Sequence, residues 1–241
     1  MKKFFFLMLT AVAAVALVVS CKQENNKNNG DQPGKTYRVK TYHDAWSGDF
    51  TYNYGADGKV ATINRIEGEW ITEYTFNYKE GNVLEVLENG ELKWTIPLND
   101  KGYATSFDGK NFTYDAKGHM IKVEKDGSVI SEATWDANGN LTKWTRKDGD
   151  SFKGKLHTYG TDKNVGKIHN IFVEDCGIYR WLAEIGLAGE APEYLCTGNG
   201  WEDPSLSSYE YEANDDGYVT KETKIYGEDK EIGIYTWEEV K

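Results

Sequence analysis

The sequence predicts an all-β protein: an up-and-down antiparallel meander of many strands, closed or nearly closed into a barrel, with one short helical insertion near 171–187. Three observations carry this. First, one pattern recurs: an aromatic, any residue, an aromatic, a short turn with Asp or Asn and Gly, then an apolar residue. It reads Tyr52-Asn53-Tyr54 with Gly58 and Val60, then Phe112-Thr113-Tyr114 with Gly118 and Met120, then Thr134-Trp135 with Gly139 and Leu141. Second, another set of turns alternates with the first: Glu67-Gly68-Glu69, Asn89-Gly90, Asp108-Gly109, Asp126-Gly127 and Asp148-Gly149. Asn-Gly and Asp-Gly accept positive φ and match the twist of paired strands, so each repeat is two strands and two turns. Third, residues between turns alternate with period two. Trp70, Thr72, Tyr74, Phe76 and Tyr78 share one face, Ile71, Glu73, Thr75 and Asn77 the other. Val129, Ser131, Ala133 and Trp135 are expected to share a face in the same way. Such a sheet must manage its edges, and closure removes them; an open curved sheet is the alternative.

The chain begins differently. Lys2 and Lys3 precede an apolar run from Phe4 to Val19, and the run ends on Ser20-Cys21. This is the order of a secretory signal peptide, expected over 1–20. Residues 22–35 hold no apolar side chain. They cannot repay their ordering entropy, so residues 21–35 are expected to form a flexible tether. Its reach is at most about 50 Å. The expected domain is 36–241. Looser copies of the repeat run through Phe76-Asn77-Tyr78 with Gly81, through Leu98-Asn99 with Gly102, and through Tyr209-Glu210-Tyr211 with Gly217.

One stretch, 171–205, breaks the rhythm. Ile178, Trp181, Leu182 and Ile185 recur at helical spacing, and Gly186 or Gly189 ends the helix. The segment is either a plug that fills the barrel end with Trp181 and Leu182 or the wall of a ligand site. Cys176 and Cys196 are expected to form a disulfide in an oxidising compartment, with two free buried thiols as the alternative. Aromatic residues are abundant, eight Trp, sixteen Tyr and nine Phe. The repeat alone places most of them in a core. Trp46 and Trp201 stand in loop-like text. With Trp181 they are the candidate ligand-binding residues.

The end of the apolar run resembles the bacterial lipobox, which implies acylation of Cys21. The units at 114–120 and 135–141 resemble the YD-type repeats of Rhs-like secreted proteins. Lipobox, polar tether and a single repeat domain together resemble a group of lipoproteins of Bacteroidetes-type bacteria, a domain of unknown function with a porin-like fold. The resemblance covers roughly 36–241 and implies no established activity. The chain departs from a clean repeat: Gly55 replaces the Asp, and Asn164 stands where a turn Gly is expected.

Charge excludes some functions. Loss of Lys2 and Lys3 with the leader takes the formal charge from −11 to −13. Such a surface repels nucleic acid and anionic head groups. A transmembrane pore needs an outward apolar band, whereas Lys122-Val123-Glu124-Lys125 and Lys221-Glu222-Thr223-Lys224 carry charge on both faces. No nucleophile elbow or phosphate loop occurs, and His43, His119, His157 and His169 lack metal-ligand spacing. No catalytic residue, metal or cofactor is assigned. The expected function is a lipid-anchored binding or scaffold module of the outer membrane. The membrane is its partner through the acyl chains, and its ligand is a glycan, a small amphiphile or an envelope protein. Lys22 follows Cys21 where an inner-membrane retention signal has Asp. The alternatives are a polymer hydrolase using carboxylates such as Glu174, Asp175 and Glu184, and a purely structural envelope component.

Overall fold

A computed structural model describes residues 35–45, 47–169 and 180–240. Cys21, Trp46, Glu174, Asp175, Cys176 and Ile178 lie outside the described residues. The first six strands are β1 (Tyr37–Asp44), β2 (Gly48–Tyr54), β3 (Val60–Glu67), β4 (Trp70–Lys79), β5 (Val83–Glu88) and β6 (Glu91–Pro97). Next come β7 (Ser106–Phe107), β8 (Lys110–Tyr114), β9 (Met120–Lys125), β10 (Ser128–Trp135), β11 (Leu141–Asp148) and β12 (Ser151–Lys163). A short helix, α1 (Arg180–Glu184), precedes β13 (Tyr194–Trp201), β14 (Ser207–Ala213), β15 (Val219–Tyr226) and β16 (Asp229–Glu239).

All sixteen strands form one antiparallel sheet in the order β6-β5-β4-β3-β2-β1-β16-β15-β14-β13-β12-β11-β10-β9-β8-β7. The chain's two terminal strands are therefore neighbours inside the sheet, with Tyr42 opposite Tyr235 and Asp44 opposite Gly233. The sheet curls into a nearly closed barrel whose seam lies between β6 and β7. There, Thr105 N donates to Pro97 O at 2.8 Å and Leu98 bridges Ala104. β7 is only two residues long, so side chains complete the join: Trp94 of β6 packs on Phe107 of β7 at 5.4 Å between ring centroids.

The two sets of turns sit at opposite ends. One rim carries tight hairpins. Asn89-Gly90, Asp108-Gly109 and Asp126-Gly127 have positive φ at both central residues, as a type I′ turn requires. Two of the expected turns are shifted by register. Asp148 pairs with Ser151, so the central residues are Gly149-Asp150. Glu67 pairs with Trp70, leaving Gly68-Glu69.

The other rim carries wider turns built on an Asx side chain. Asp115 Oδ1 accepts from Gly118 N and His119 N, Asp136 Oδ1 from Asn140 N, and Asn214 Oδ1 from Tyr218 N. Each turn ends on a buried apolar residue, Met120, Leu141 or Val219. The aromatic before the next turn then reaches back: Trp135 Nε1 donates to Met120 O at 2.9 Å, and Trp237 Nε1 to Val219 O at 2.7 Å. This explains why the repeat needs aromatic, Asx, glycine and apolar residue together.

Asn164 proves to be a copy of the Asx residue rather than of the glycine. Its Oδ1 accepts from Ile168 N, and Lys167 takes the glycine place at φ 53°. That region costs an L-residue about 1–2 kcal/mol, while glycine's extra unfolded-state freedom takes back about 0.5–1 kcal/mol. Lys167→Gly is therefore expected to stabilise the fold by up to about 1 kcal/mol in urea titrations. A loss of stability would show that the exposed Lys167–Glu193 pair, 3.1 Å apart, outweighs the backbone.

The predicted alternation of β4 is observed: Tyr74 and Phe76 are buried, while Ile71 and Glu73 are exposed. β10 departs from it. A bulge at Ile130 places Val129 opposite the outward Glu124, while Ser131 lies opposite the buried Val123. The extra residue flips the face on one side of it.

The plug reading of the insertion holds for its described part. Trp181 and Leu182 are buried in the barrel core. Gly186 (φ 80°) ends the helix in a Schellman arrangement, with Leu187 N donating to Leu182 O and Gly186 N to Ala183 O. The chain then runs along the Asx rim and is stitched to it. Ala104 N donates to Leu187 O, Glu190 N to Gly118 O and Glu193 N to Gly139 O. Asn164 Nδ2 donates to Pro192 O. Over the turns at 104, 118, 139 and 164, this rim is thus covered by the protein's own chain.

Candidate functional site

α1 lies inside the barrel and faces two environments. On one side Trp181 meets Phe76, Phe107, Tyr74 and Trp94 at centroid distances of 5.4, 5.8, 5.9 and 5.9 Å. On the other, Arg180 enters a box of acids and tyrosines. Its guanidinium sits 4.3 Å from the Tyr42 ring centroid. Its Nη1 lies 3.7 Å from Asp44 Oδ2 and 3.8 Å from Glu184 Oε1. Tyr42 donates its hydroxyl to Asp44 at 2.7 Å, and Tyr52 donates to Glu184.

Strand alternation brings these groups together. Tyr42 and Asp44 are in phase on β1, Tyr52 on β2, Glu222 on β15 and Tyr235 on β16. Gly233 faces Asp44 and leaves room for Tyr42, whose ring would lie 3.1 Å from an added Cβ. Burial raises the Glu184 carboxyl and the Tyr52 and Tyr235 hydroxyls above their usual values. The nearby Arg180 cation pulls Glu184 the other way without overcoming burial. Arg180 itself is held charged: burial opposes its charge, and Tyr235, Glu184, Tyr42 and Asp44 outweigh it.

The box opens toward the hairpin rim through a pocket of about 40 Å³ lined by Asp44, Arg180, Tyr209, Glu222 and Lys224. That is room for about one water. A wider depression of about 300 Å³ lies open at the Asx rim, lined by Asp57, Lys59, Phe76 and Tyr78. Lys59 Nζ sits 4.5 Å from the Tyr78 ring centroid there. Among the described residues no group of three or more His, Cys, Asp or Glu is placed to hold a metal ion. No described helix is long and apolar enough to cross a membrane.

The candidate ligand-binding residues separate. Trp181 is core, at 2% exposure. Trp201 ends β13 half-buried at the hairpin rim, with Arg146 and Lys155 at 5.1 and 5.9 Å from its ring. Trp46 lies outside the described residues. Cys196 is a free, buried thiol that donates to Gly198 O at 3.2 Å. Burial pushes it up to about 12. No disulfide is found among the described residues, and its expected partner, Cys176, is outside them. The Arg180 box escaped sequence reasoning. Its signal was present: Arg180 and Glu184 are spaced i, i+4 in the helical text, and Asp44 and Glu222 occupy inward phases of their strands.

His157 lies in the same half of the barrel, opposite Asn199 of β13. Neither of its ring nitrogens has a hydrogen-bond partner among the described residues. Burial, aided by the Lys155 charge, lowers His157 to about 3, and burial lowers His169 to about 4. The neutral ring is the folded form, so this stability is present above about pH 6.5 and lost as pH falls toward those values. At pH 5 the loss from His157 alone is about 2 kcal/mol. Urea unfolding at pH 7.5 and 5 is expected to show it, and His157→Leu should reduce the drop by that amount. An unchanged pH dependence in the variant would refute the assignment.

No protein-family profile and no curated protein matches the sequence. Solved structures do. The chain is similar to a porin-like protein from Bacteroides uniformis ATCC 8492, with 20% identity and a TM-score of 0.60 over 86% of this chain and 98% of that one. A second porin-like protein, from Bacteroides vulgatus ATCC 8482, aligns over 84% of this chain and 99% of that one, with 14% identity and a TM-score of 0.43. The first of these shows that the fold is porin-like.

Proposed function

We propose that the protein is an extracytoplasmic lipoprotein, anchored through acyl chains on Cys21, whose barrel is a binding or scaffold module rather than a pore. The observation that carries this is the occupied interior. α1 and the Arg180 box occupy the lumen, and the segment from Leu187 to Glu193 covers the Asx rim over its turns at 104, 118, 139 and 164. The outward positions support it. β2 presents Asp49, Thr51 and Asn53, and Lys122 pairs with Glu124 across β9's outer face at 3.2 Å. A barrel with such sides is suited to water, and a lipid anchor gives it a membrane address. The leader, and Lys22 in place of a retention Asp after Cys21, support an outer-membrane location. Of the carboxylates named for the hydrolase alternative, Glu184 is taken up by Tyr52 and Arg180 in the buried box, and Glu174 and Asp175 lie outside the described residues.

Fractionation tests the reading. In the parent, [³H]palmitate should enter the protein, and the protein should sediment with outer membranes. Cys21→Ser should abolish labelling and release a folded, water-soluble protein. A Cys21→Ser variant that stays in the membrane after sodium carbonate extraction would make the barrel integral and overturn the proposal. Ligand class is read separately, by thermal unfolding against oligosaccharides, bile salts and fatty acids. A saturable rise in melting temperature identifies a ligand of the native state.

A further inference from the structure

The two rims differ in what they expose. Eight of the ten exposed large apolar side chains among the described residues stand in, or within four residues of, a turn of the hairpin rim. They include Trp70 at 80% exposure, Ile71, Leu92, Phe152, Leu206 and Tyr226. Singly exposed apolar residues are ordinary; their confinement to one end is not. The Asx rim shows the opposite character, covered in part by the chain's own backbone and carrying the start of β1 at Tyr37.

The same hairpins carry unpaired acids. Lys93, Lys110 and Lys153 are taken up by Glu88, Asp108 and Asp148 of their own hairpins. Glu69, Glu91, Asp126, Asp150, Glu202 and Glu228 are exposed, one on each of six hairpins, and make no ion pair among the described residues. The unpaired lysines on these hairpins, Lys125, Lys147 and Lys230, are fewer. Apolar tips interleaved with free carboxylates complement a surface that offers apolar groups beside cations. They repel an anionic bilayer.

We propose that the hairpin rim is a docking surface for a protein partner presenting lysine or arginine beside apolar side chains. The inference deepens the binding-module reading and rests on it. It places the partner at the end of the barrel opposite Tyr37.

The test uses the full-length protein in detergent and three probes: a soluble peptide of alternating Lys and Leu, its Glu-Leu counterpart, and phosphatidylglycerol vesicles. The Lys-Leu peptide should bind saturably, and the Glu-Leu peptide and the vesicles should not. Trp70→Ser/Ile71→Ser/Tyr226→Ser should weaken peptide binding at least tenfold with an unchanged melting transition. Asp57→Asn/Asp215→Asn/Asp216→Asn, on the Asx rim, should leave it within twofold. Equal loss in both variants would mean that bulk negative charge alone binds the peptide, and the proposal would fail. Preference for the vesicles would overturn it in favour of a lipid surface. Concentration-dependent self-association lost in the first variant would overturn it in favour of a second copy. None of these outcomes affects acylation at Cys21, which is read independently.

Discussion

Arg180→Met is expected to destabilise the barrel by about 3–5 kcal/mol, because removing one partner leaves buried charges uncompensated. Arg180 sits within 4 Å of both Asp44 and Glu184, and the adjoining pocket of about 40 Å³ has room for about one water. The pH dependence distinguishes this from lost packing. Burial raises the Glu184 carboxyl in the fold. Stability from a raised group is fully present below its unfolded value and is lost as pH rises through the folded one. Without Arg180 the carboxyl is raised further, so the deficit of the variant against the parent should shrink on acidification. Taking the difference cancels the histidine effect, which both proteins share. Urea midpoints at several pH values measure it. A deficit constant with pH would mean that Arg180 contributes packing alone. Replacing Arg180 with its two contacting carboxylates, Arg180→Met with Asp44→Asn and Glu184→Gln, should recover much of the loss, since neither carboxylate is then left charged without its cation.

Trp181→Ala is expected to cost about 3–5 kcal/mol, the range for deleting a large aromatic from a packed core. For a chain of this size that is a fall in melting temperature of about 6–20 °C. Four aromatic rings on β4, β6 and β7 lose their common partner, and two of them span the seam. The near-UV circular dichroism of the parent should be lost with it. Trp201→Ala removes a half-buried ring held by two cations, and should cost no more than about 1 kcal/mol. A small effect at Trp181 would mean that the helix is a passenger in the lumen.

Much of the fold was legible because each turn signals itself locally. Asn89-Gly90 and Asp126-Gly127 need only four residues to specify a hairpin, and period two then assigns the faces. Register was less legible. Nothing in the text of β10 marks Ile130 as the extra residue, since a bulge is decided by the partner strand. The Asn164 turn was misread because lysine holds a backbone conformation that normally identifies glycine. The Arg180 box was hidden for a different reason. Its members lie at 42–52, 180–184 and 222–235, and only closure of the ring makes them neighbours. The candidate tryptophans illustrate the same limit: loop-like text around Trp201 did not reveal Arg146 and Lys155 beside its ring.

The position of the seam has a consequence for how the molecule is made. Fifteen strand pairs hold the sheet together, and most join strands adjacent in sequence, so they can form as the chain leaves the ribosome. The pairing of β1 with β16 cannot. Arg38 and Glu238, 2.7 Å apart in the finished barrel, are separated by 200 residues. The slow search for such distant partners comes last. Until the eleven residues of β16 have been synthesised, two curved half-sheets stand with open flanks at β1 and β15. A nascent or C-terminally clipped chain therefore displays adhesive edges that the completed protein lacks.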